Sequence, residues 1–245
     1  MPNPNNRTGS CHDPAIGIIM LDTVFPRIPG DVGNQHTFSF PVRYRVVKGA
    51  SPHRVVKEAD PLLLQPFIEA ARALEKQGVK AIATSCGFLA IFHQELVNAV
   101  HVPVFSSSLL QVHLAQAIIR NDQKVGILTA HAQSLTERHF ASVGIDQYPK
   151  AVIGMETAQE FTDVFIEGKR DIDIDQCRRE MVAAALQLID THTDVGAIIL
   201  ECTNMPPYAQ DIQAAVQLPV FDVVTLINYA YTAVVQQGFL QCLPP

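Results

Sequence analysis

Cys86 and Cys202 stand 116 positions apart in matching surroundings. The segment VKAIATSCGF (Val79–Phe88) lies without a gap over VGAIILECTN (Val195–Asn204). The overlay continues with Gln94 on Gln210, Ala99-Val100 on Ala215-Val216, and Pro103-Val104-Phe105 on Pro219-Val220-Phe221. Each cysteine precedes its Pro-Val-Phe by 17 residues. A weaker match sets Gly17-Ile18 on Gly126-Ile127 and brings Asp22 opposite His131. A period above 100 residues marks a duplicated unit and not a solenoid of short repeats. Two thiols related by a pseudo-twofold axis would face each other across a cleft. A thiolate then takes a proton from one face of a carbon acid and a thiol returns one to the other, which is the chemistry of stereochemical inversion.

The elements that must position these thiols follow from periodicity. Ile16–Leu21 is a continuous apolar run that stops at Asp22, as a strand buried on both faces does. Pro41–Val47, Val79–Ser85, Val102–Ser106, Lys124–Thr129, Ala151–Gly154, Val195–Glu201 and Leu218–Asp222 are further strand candidates. Pro61–Gln77 carries Leu63, Phe67, Ala70, Ala71 and Leu74 near helical spacing, with Gly78 placed to close the helix. Asp175–His192 reads as another helix, with Asp173 or Asp175 as its N-cap. Strand–helix alternation predicts an α/β fold of two pseudo-symmetric, doubly wound halves, each with a mostly parallel sheet. The expected organisation is a loose tail over 1–13, a first half over 14–120 carrying Cys86, and a second half over 121–240 carrying Cys202. The C-terminal helix is free to pack back on the first half.

In such sheets ligands bind beyond the carboxyl ends of the strands, where both cysteines fall. Thr203 or Asn204 reads as the N-cap of the helix after Cys202, with a proline suited to its first turn. Helix-start N–H groups are expected to lower a thiol's pKa there. Thr203 and Asn204 would hold a substrate carboxylate and an enolate-like intermediate. Asp22, Ser85, Gly87 and Phe88 lie beside the predicted strand ends; Thr129 and His131 mirror Asp22 in the second half. Ser106–Ser108 ends another strand, and the Pro/Gly-rich loop Phe25–Asn34 is placed to cover the cleft. Cys177 falls inside a predicted helix, and Cys11 and Cys242 in the terminal segments, so these three default to packing or tail positions.

The 245 residues include 48% hydrophobic and 17% charged positions, with 18 Lys+Arg against 24 Asp+Glu, a net charge of -6. That is ample apolar material for a core and excludes a disordered chain. No basic run points to nucleic acid or an anionic membrane. The polar N-terminus lacks an apolar signal region, and 5 cysteines without a CxxC pair read as free thiols. The expectation is a cytoplasmic protein. No G-x-G-x-x-G or Walker lysine cradles a phosphate. None of the lysines falls at the carboxyl end of a predicted strand, where a pyridoxal phosphate Schiff base would sit, and no cluster has metal-ligand spacing. No cofactor is expected, and the expected partner is a small-molecule carboxylate, with a homodimer left open by the Ala-rich helices.

From Ile16 to Phe239 the sequence resembles the cofactor-independent aspartate/glutamate/hydantoin racemase superfamily. The resemblance is carried by Asp22-Thr23 after the first strand, Ser85-Cys86-Gly87, and Glu201-Cys202-Thr203-Asn204. In glutamate racemases the first strand ends in Asp-Ser, the first cysteine precedes Asn-Thr and the second Thr-His. Here Gly87-Phe88 replaces Asn-Thr and Asn204 replaces His. The resemblance implies a racemase or epimerase with Cys86 and Cys202 as the acid/base pair, and Asp22, Thr23, Ser85, Gly87, Phe88, Thr129, Thr203 and Asn204 around the substrate. Two alternatives remain: a maleate isomerase-like or arylmalonate decarboxylase-like enzyme of the same superfamily, and a non-catalytic small-molecule-binding module. Gly87-Phe88 removes two polar side chains, which favours a compact or apolar substituent over free glutamate if Phe88 faces the cleft.

Overall fold

An unbroken apolar strand needs cover on both faces, and β1 (Ile16–Leu21) and β7 (Val195–Leu200) are buried at every position. They belong to two separate four-stranded sheets in the computed structural model, which describes residues 14–236. The first half runs β1, β2 (Val42–Val47), α1 (Leu64–Lys76), β3 (Ala81–Thr84), α2 (His93–Ala99), β4 (Val104–Phe105) and α3 (Val112–Ile118). The second runs β5 (Lys124–Thr129), α4 (Glu137–Ser142), β6 (Lys150–Gly154), α5 (Gln159–Phe165), α6 (Ile174–Thr191), β7, α7 (Ala209–Val216), β8 (Val220–Phe221) and α8 (Val223–Val234). Sheet orders are β2-β1-β3-β4 and β6-β5-β7-β8, all parallel. The two halves are thus doubly wound in the same order, as the repeat predicts. Cys11, Cys242 and the tail expected over 1–13 lie outside the described residues.

The weaker sequence match has a packing cause. A Cβ on Gly17 of β1 would meet Leu74 of α1 at 3.0 Å, and one on Gly126 of β5 would meet Leu188 of α6 at 2.8 Å. Each half therefore seats a helical leucine directly on its central strand, which a larger residue would push away. Burying such a leucine stabilises by about 1.5–3 kcal/mol. The halves also exchange helices: α3 lies on β5 and β7, while α8 lies on β3 and β4. Val223, Ile227 and Ala230 of α8 join Ile16, Ile18, Met20, Ala81 and Ala83 in one apolar cluster.

Several boundaries shift for identifiable reasons. The strands expected at 102–106 and 218–222 shorten to two residues each, β4 and β8. Pro103 and Pro219 lack the N–H that would extend the ladder, although their carbonyls accept from Ile82 and Ile198. Pro61–Leu63 forms a 3₁₀ turn capped by Asp60 before α1 begins. Asp173, and not Asp175, caps α6 by accepting the Gln176 N–H. Among the described residues no helix is long and apolar enough to cross a membrane.

Candidate active site

Cys86 ends the turn after β3 and opens a 3₁₀ helix over Gly87–Phe92; Cys202 follows β7 at the equivalent place. Neighbouring residues tie the two strand ends together. The Thr203 hydroxyl donates to the Ser85 carbonyl at 2.6 Å, and the Ser108 hydroxyl to the Leu200 carbonyl at 2.7 Å. Gly87 faces Glu201 so closely that a Cβ there would lie 2.2 Å from both the Glu201 carbonyl oxygen and Oε1. The thiols are nearly covered, with Cys86 8% and Cys202 9% exposed.

A chain of polar contacts continues outward from Cys202. Its thiol points to Asn204 Oδ1 at 3.6 Å, and Asn204 Nδ2 donates to Asp31 Oδ2 at 2.8 Å. Asp31 is buried and also accepts from Gly33 N and from Arg27 Nη1. Arg27 reaches Thr23 Oγ1 through Nη2 at 2.8 Å and stacks over the Phe25 ring at 4.4 Å. The 25–34 loop is thus fastened to the turn that carries Cys202. Gly30 lies against Pro207 there, where a Cβ would come within 2.9 Å of the proline Cα. Phe25 anchors the other end edge-on to Phe165 of α5.

Electrostatics run against the expected acid thiols. The Phe88 and Leu89 N–H groups do pull Cys86 down, as helix-start donors should, and Arg27 helps. Burial is the larger effect, and with the Glu201 charge it pushes the Cys86 thiol up to about 12. Cys202 is raised well above the ordinary thiol value, first by burial and then by Glu201, with Cys86 and Asp31 adding to it. Burial also raises Glu201 to about 7, against the Thr129 hydroxyl and the Ala130 N–H, which favour its charge. Burial therefore favours the protonated form of both thiols.

The remaining expected residues divide. Thr129 is brought in, donating to Glu201 Oε2 at 2.7 Å. Ser85 accepts the Leu21 N–H through its hydroxyl and Thr203 through its carbonyl. Thr203 and Asn204 cap no helix, contrary to expectation: the 3₁₀ turn Pro206–Tyr208 starts after Met205, and both side chains are committed across the site. Asp22 is exposed and accepts the Gly49 N–H. With Thr23, Phe25 and Ser51 it lines a cavity of about 320 Å³ that includes neither thiol. Phe88 is buried edge-on to His139, 5.4 Å between ring centroids, so it packs in the core and forms no apolar wall of the cleft. His131 accepts the Ser134 N–H and so caps a short turn. Ser106 meets His93, Ser107 caps the turn at Leu109, and Cys177 is buried in α6. Sequence reasoning missed Glu201, Asp31 and Arg27. The overlay of Glu201 on Ser85 was the one available signal, because an acid at a doubly buried strand end has to find partners. Among the described residues no group of three or more His, Cys, Asp or Glu is arranged to hold a metal ion.

The Asp/Glu/Hydantoin racemase family model matches residues 46–227. Dimethylsulfoniopropionate lyase of Durusdinium sp. clade D is 31% identical over 222 residues, spanning 88% of this chain and 73% of that protein. Dimethylsulfoniopropionate lyases 7 and 3 of Emiliania huxleyi are 31% and 32% identical. They span 89% and 88% of this chain, which covers only 66% and 58% of their lengths. Among solved structures, allantoin racemase from Klebsiella pneumoniae superposes with a TM-score of 0.62 at 14% identity, covering 91% of both chains. Unliganded arylmalonate decarboxylase gives 0.58 at 16% identity, covering 92% of this chain and 94% of that one. These likenesses show the shared two-sheet fold. On the family match across most of its length, the chain belongs to the Asp/Glu/Hydantoin racemase family.

Proposed function

We propose that the protein is a cofactor-independent carbon-acid lyase in which a thiolate removes the proton next to a substrate carboxylate. The observation that carries this reading is the placement of Cys86 and Cys202 at equivalent strand ends whose turns are tied by the Thr203–Ser85 hydrogen bond. The relatives direct it toward dimethylsulfoniopropionate or a similar β-sulfonio carboxylate. In the elimination, the Cα–H bond breaks toward the thiolate and its electron pair forms the C=C bond. The Cβ–S bond breaks, releasing a neutral thioether and an acrylate. A neutral leaving group needs no proton, so one base suffices.

Cys86 is the more readily ionised of the two. Glu201 opposes the charge of both, but two N–H groups and Arg27 favour that of Cys86, whereas Cys202 has the Asn204 N–H against the added opposition of Cys86 and Asp31. Burial makes thiolate formation at pH 7 unfavourable, since it pushes the Cys86 thiol up to about 12. A substrate cation beside the thiols repays part of this, since an opposite charge within contact range lowers such a value by about 1–3 units. Cys202, kept as a thiol, supports the enolate from the other side.

A racemase is the second reading, favoured by the pseudo-symmetric placement of the thiols. The test is a panel in heavy water: dimethylsulfoniopropionate, glutamate, aspartate, a hydantoin and an arylmalonate. The lyase reading expects thioether and acrylate in equal amounts from the first compound. Inversion or α-exchange of an amino acid or hydantoin, with no thioether released, would replace it with the racemase reading.

A further inference from the structure

Glu201 has no part in the elimination as written, yet it is fully buried between the two thiol-bearing turns. Its Oε2 is satisfied by Thr129, while Oε1 has no hydrogen-bond partner. An unpaired buried carboxylate oxygen is costly, and a proton on it removes most of that cost. Oε1 lies toward Gly87, the residue after Cys86, and Glu201 itself precedes Cys202. Only a glycine at position 87 leaves this space, because a Cβ would overlap both Oε1 and the Glu201 carbonyl. Under the repeat, Ser85 overlies Glu201 and Gly87 overlies Thr203. Each half has thus departed from the symmetric pattern at the position that faces the other's departure.

We infer that Glu201 is a positioning residue whose buried carboxyl, by taking up or losing its proton, sets how readily the neighbouring thiols ionise, so that Glu201 and the thiols share one negative charge. The net balance is Cys–SH + Glu–COO⁻ → Cys–S⁻ + Glu–COOH, coupled through charge and not through a direct hydrogen bond, since Oε1 has no partner. The groups that bear on it are the Thr129 hydroxyl on Oε2 and the Ala130 N–H, and the Cys86 and Cys202 thiols, whose ionisation also feels the charges of Arg27 and Asp31. A charged Glu201 opposes ionisation of both thiols. Its own value near 7 lets it change state in the neutral range. The inference rests on the reading of Cys86 and Cys202 as the reacting thiols, but its test needs no substrate.

The test is the pH profile of iodoacetamide alkylation at Cys86 and Cys202, followed by peptide mass spectrometry, in the unaltered protein and in Glu201→Gln. Glutamine keeps the shape and the Thr129 contact but carries no charge. Removing the charge should move thiol alkylation to lower pH, and a profile displaced by one pH unit means alkylation about tenfold faster at pH 8. A structural role alone would leave the pH midpoint of alkylation where it is. Superimposable alkylation profiles overturn the proposal. If Glu201→Gln does not fold, infrared spectroscopy of the unaltered protein serves instead. A buried carboxylic-acid C=O band that vanishes near pH 7 is expected, and a protein with no such band overturns the proposal. Thioether release tests the lyase reading separately and does not enter either measurement.

Discussion

Asp31→Ala removes one side chain that two others and a backbone N–H depend on. Asp31 is 2% exposed and accepts from Arg27 Nη1, the Gly33 N–H and Asn204 Nδ2. Breaking one partner out of a buried ion pair costs about 3–5 kcal/mol, mostly because the surviving charge is left uncompensated. Arg27 is itself 16% exposed and keeps Thr23 and the Phe25 ring, which places its share at the lower end. The Asn204 amide, left without its acceptor, adds about 1 kcal/mol. The expected loss is therefore about 4 kcal/mol in urea unfolding. Asp31 also raises the Cys202 thiol, so the same variant should alkylate faster at Cys202 than the unaltered protein. A loss below about 1 kcal/mol would mean that the contact behaves as an exposed pair, and the loop would not be fastened to the Cys202 turn as argued.

Gly87→Ala should lose at least about 1–3 kcal/mol to overpacking and most of its turnover, because the new methyl collides with the Glu201 backbone as well as its side chain; thermal unfolding and turnover of one preparation check both. Thr203→Val leaves the Ser85 carbonyl unpaired, costs about 1–3 kcal/mol, and should lower kcat more than it raises KM. Burial raises Glu201 from 4.5 to about 7, so its contribution to stability is fully present below pH 4.5 and is lost as pH rises through 7. His139 is held down from 6.5 to about 4, so its contribution is present above 6.5 and lost as pH falls through 4. The two oppose each other between pH 4.5 and 6.5. Glu201→Gln should therefore show stability rising with pH across that window more steeply than the unaltered protein does, by about 3 kcal/mol for the whole rise of Glu201 from 4.5 to about 7. Parallel urea-unfolding curves for the two proteins would refute the assignment.

The repeat made the architecture legible because it reports packing. Gly17 and Gly126 match where a leucine of the covering helix sits on the strand, and the Pro-Val-Phe segments match where the edge strands end. The equivalent placement of the two cysteines at strand ends was legible for the same reason. Their surroundings were not. Asp31 meets Asn204 across 173 residues, and nothing local in a Pro/Gly-rich loop distinguishes a buried acid from a solvated one. Asp22 has the position of a strand-end acid, yet the chain turns so that it accepts Gly49 in the open. Phe88 follows a cysteine at the cleft but rotates under its 3₁₀ helix onto His139. Thiol acidity departs from expectation because a helix-start N–H is a local feature, whereas desolvation depends on everything that covers the site.

Dimethyl sulfide release from dimethylsulfoniopropionate, measured for the unaltered protein, Cys86→Ser and Cys202→Ser side by side, tests the central claim most directly. The unaltered protein should release it with one acrylate per thioether. Cys86→Ser should lose activity by about a thousandfold or more, in line with the loss of a general base. Cys202→Ser keeps an O–H donor and should retain a measurable fraction. Undiminished release by Cys86→Ser would contradict the assignment of Cys86 as the base.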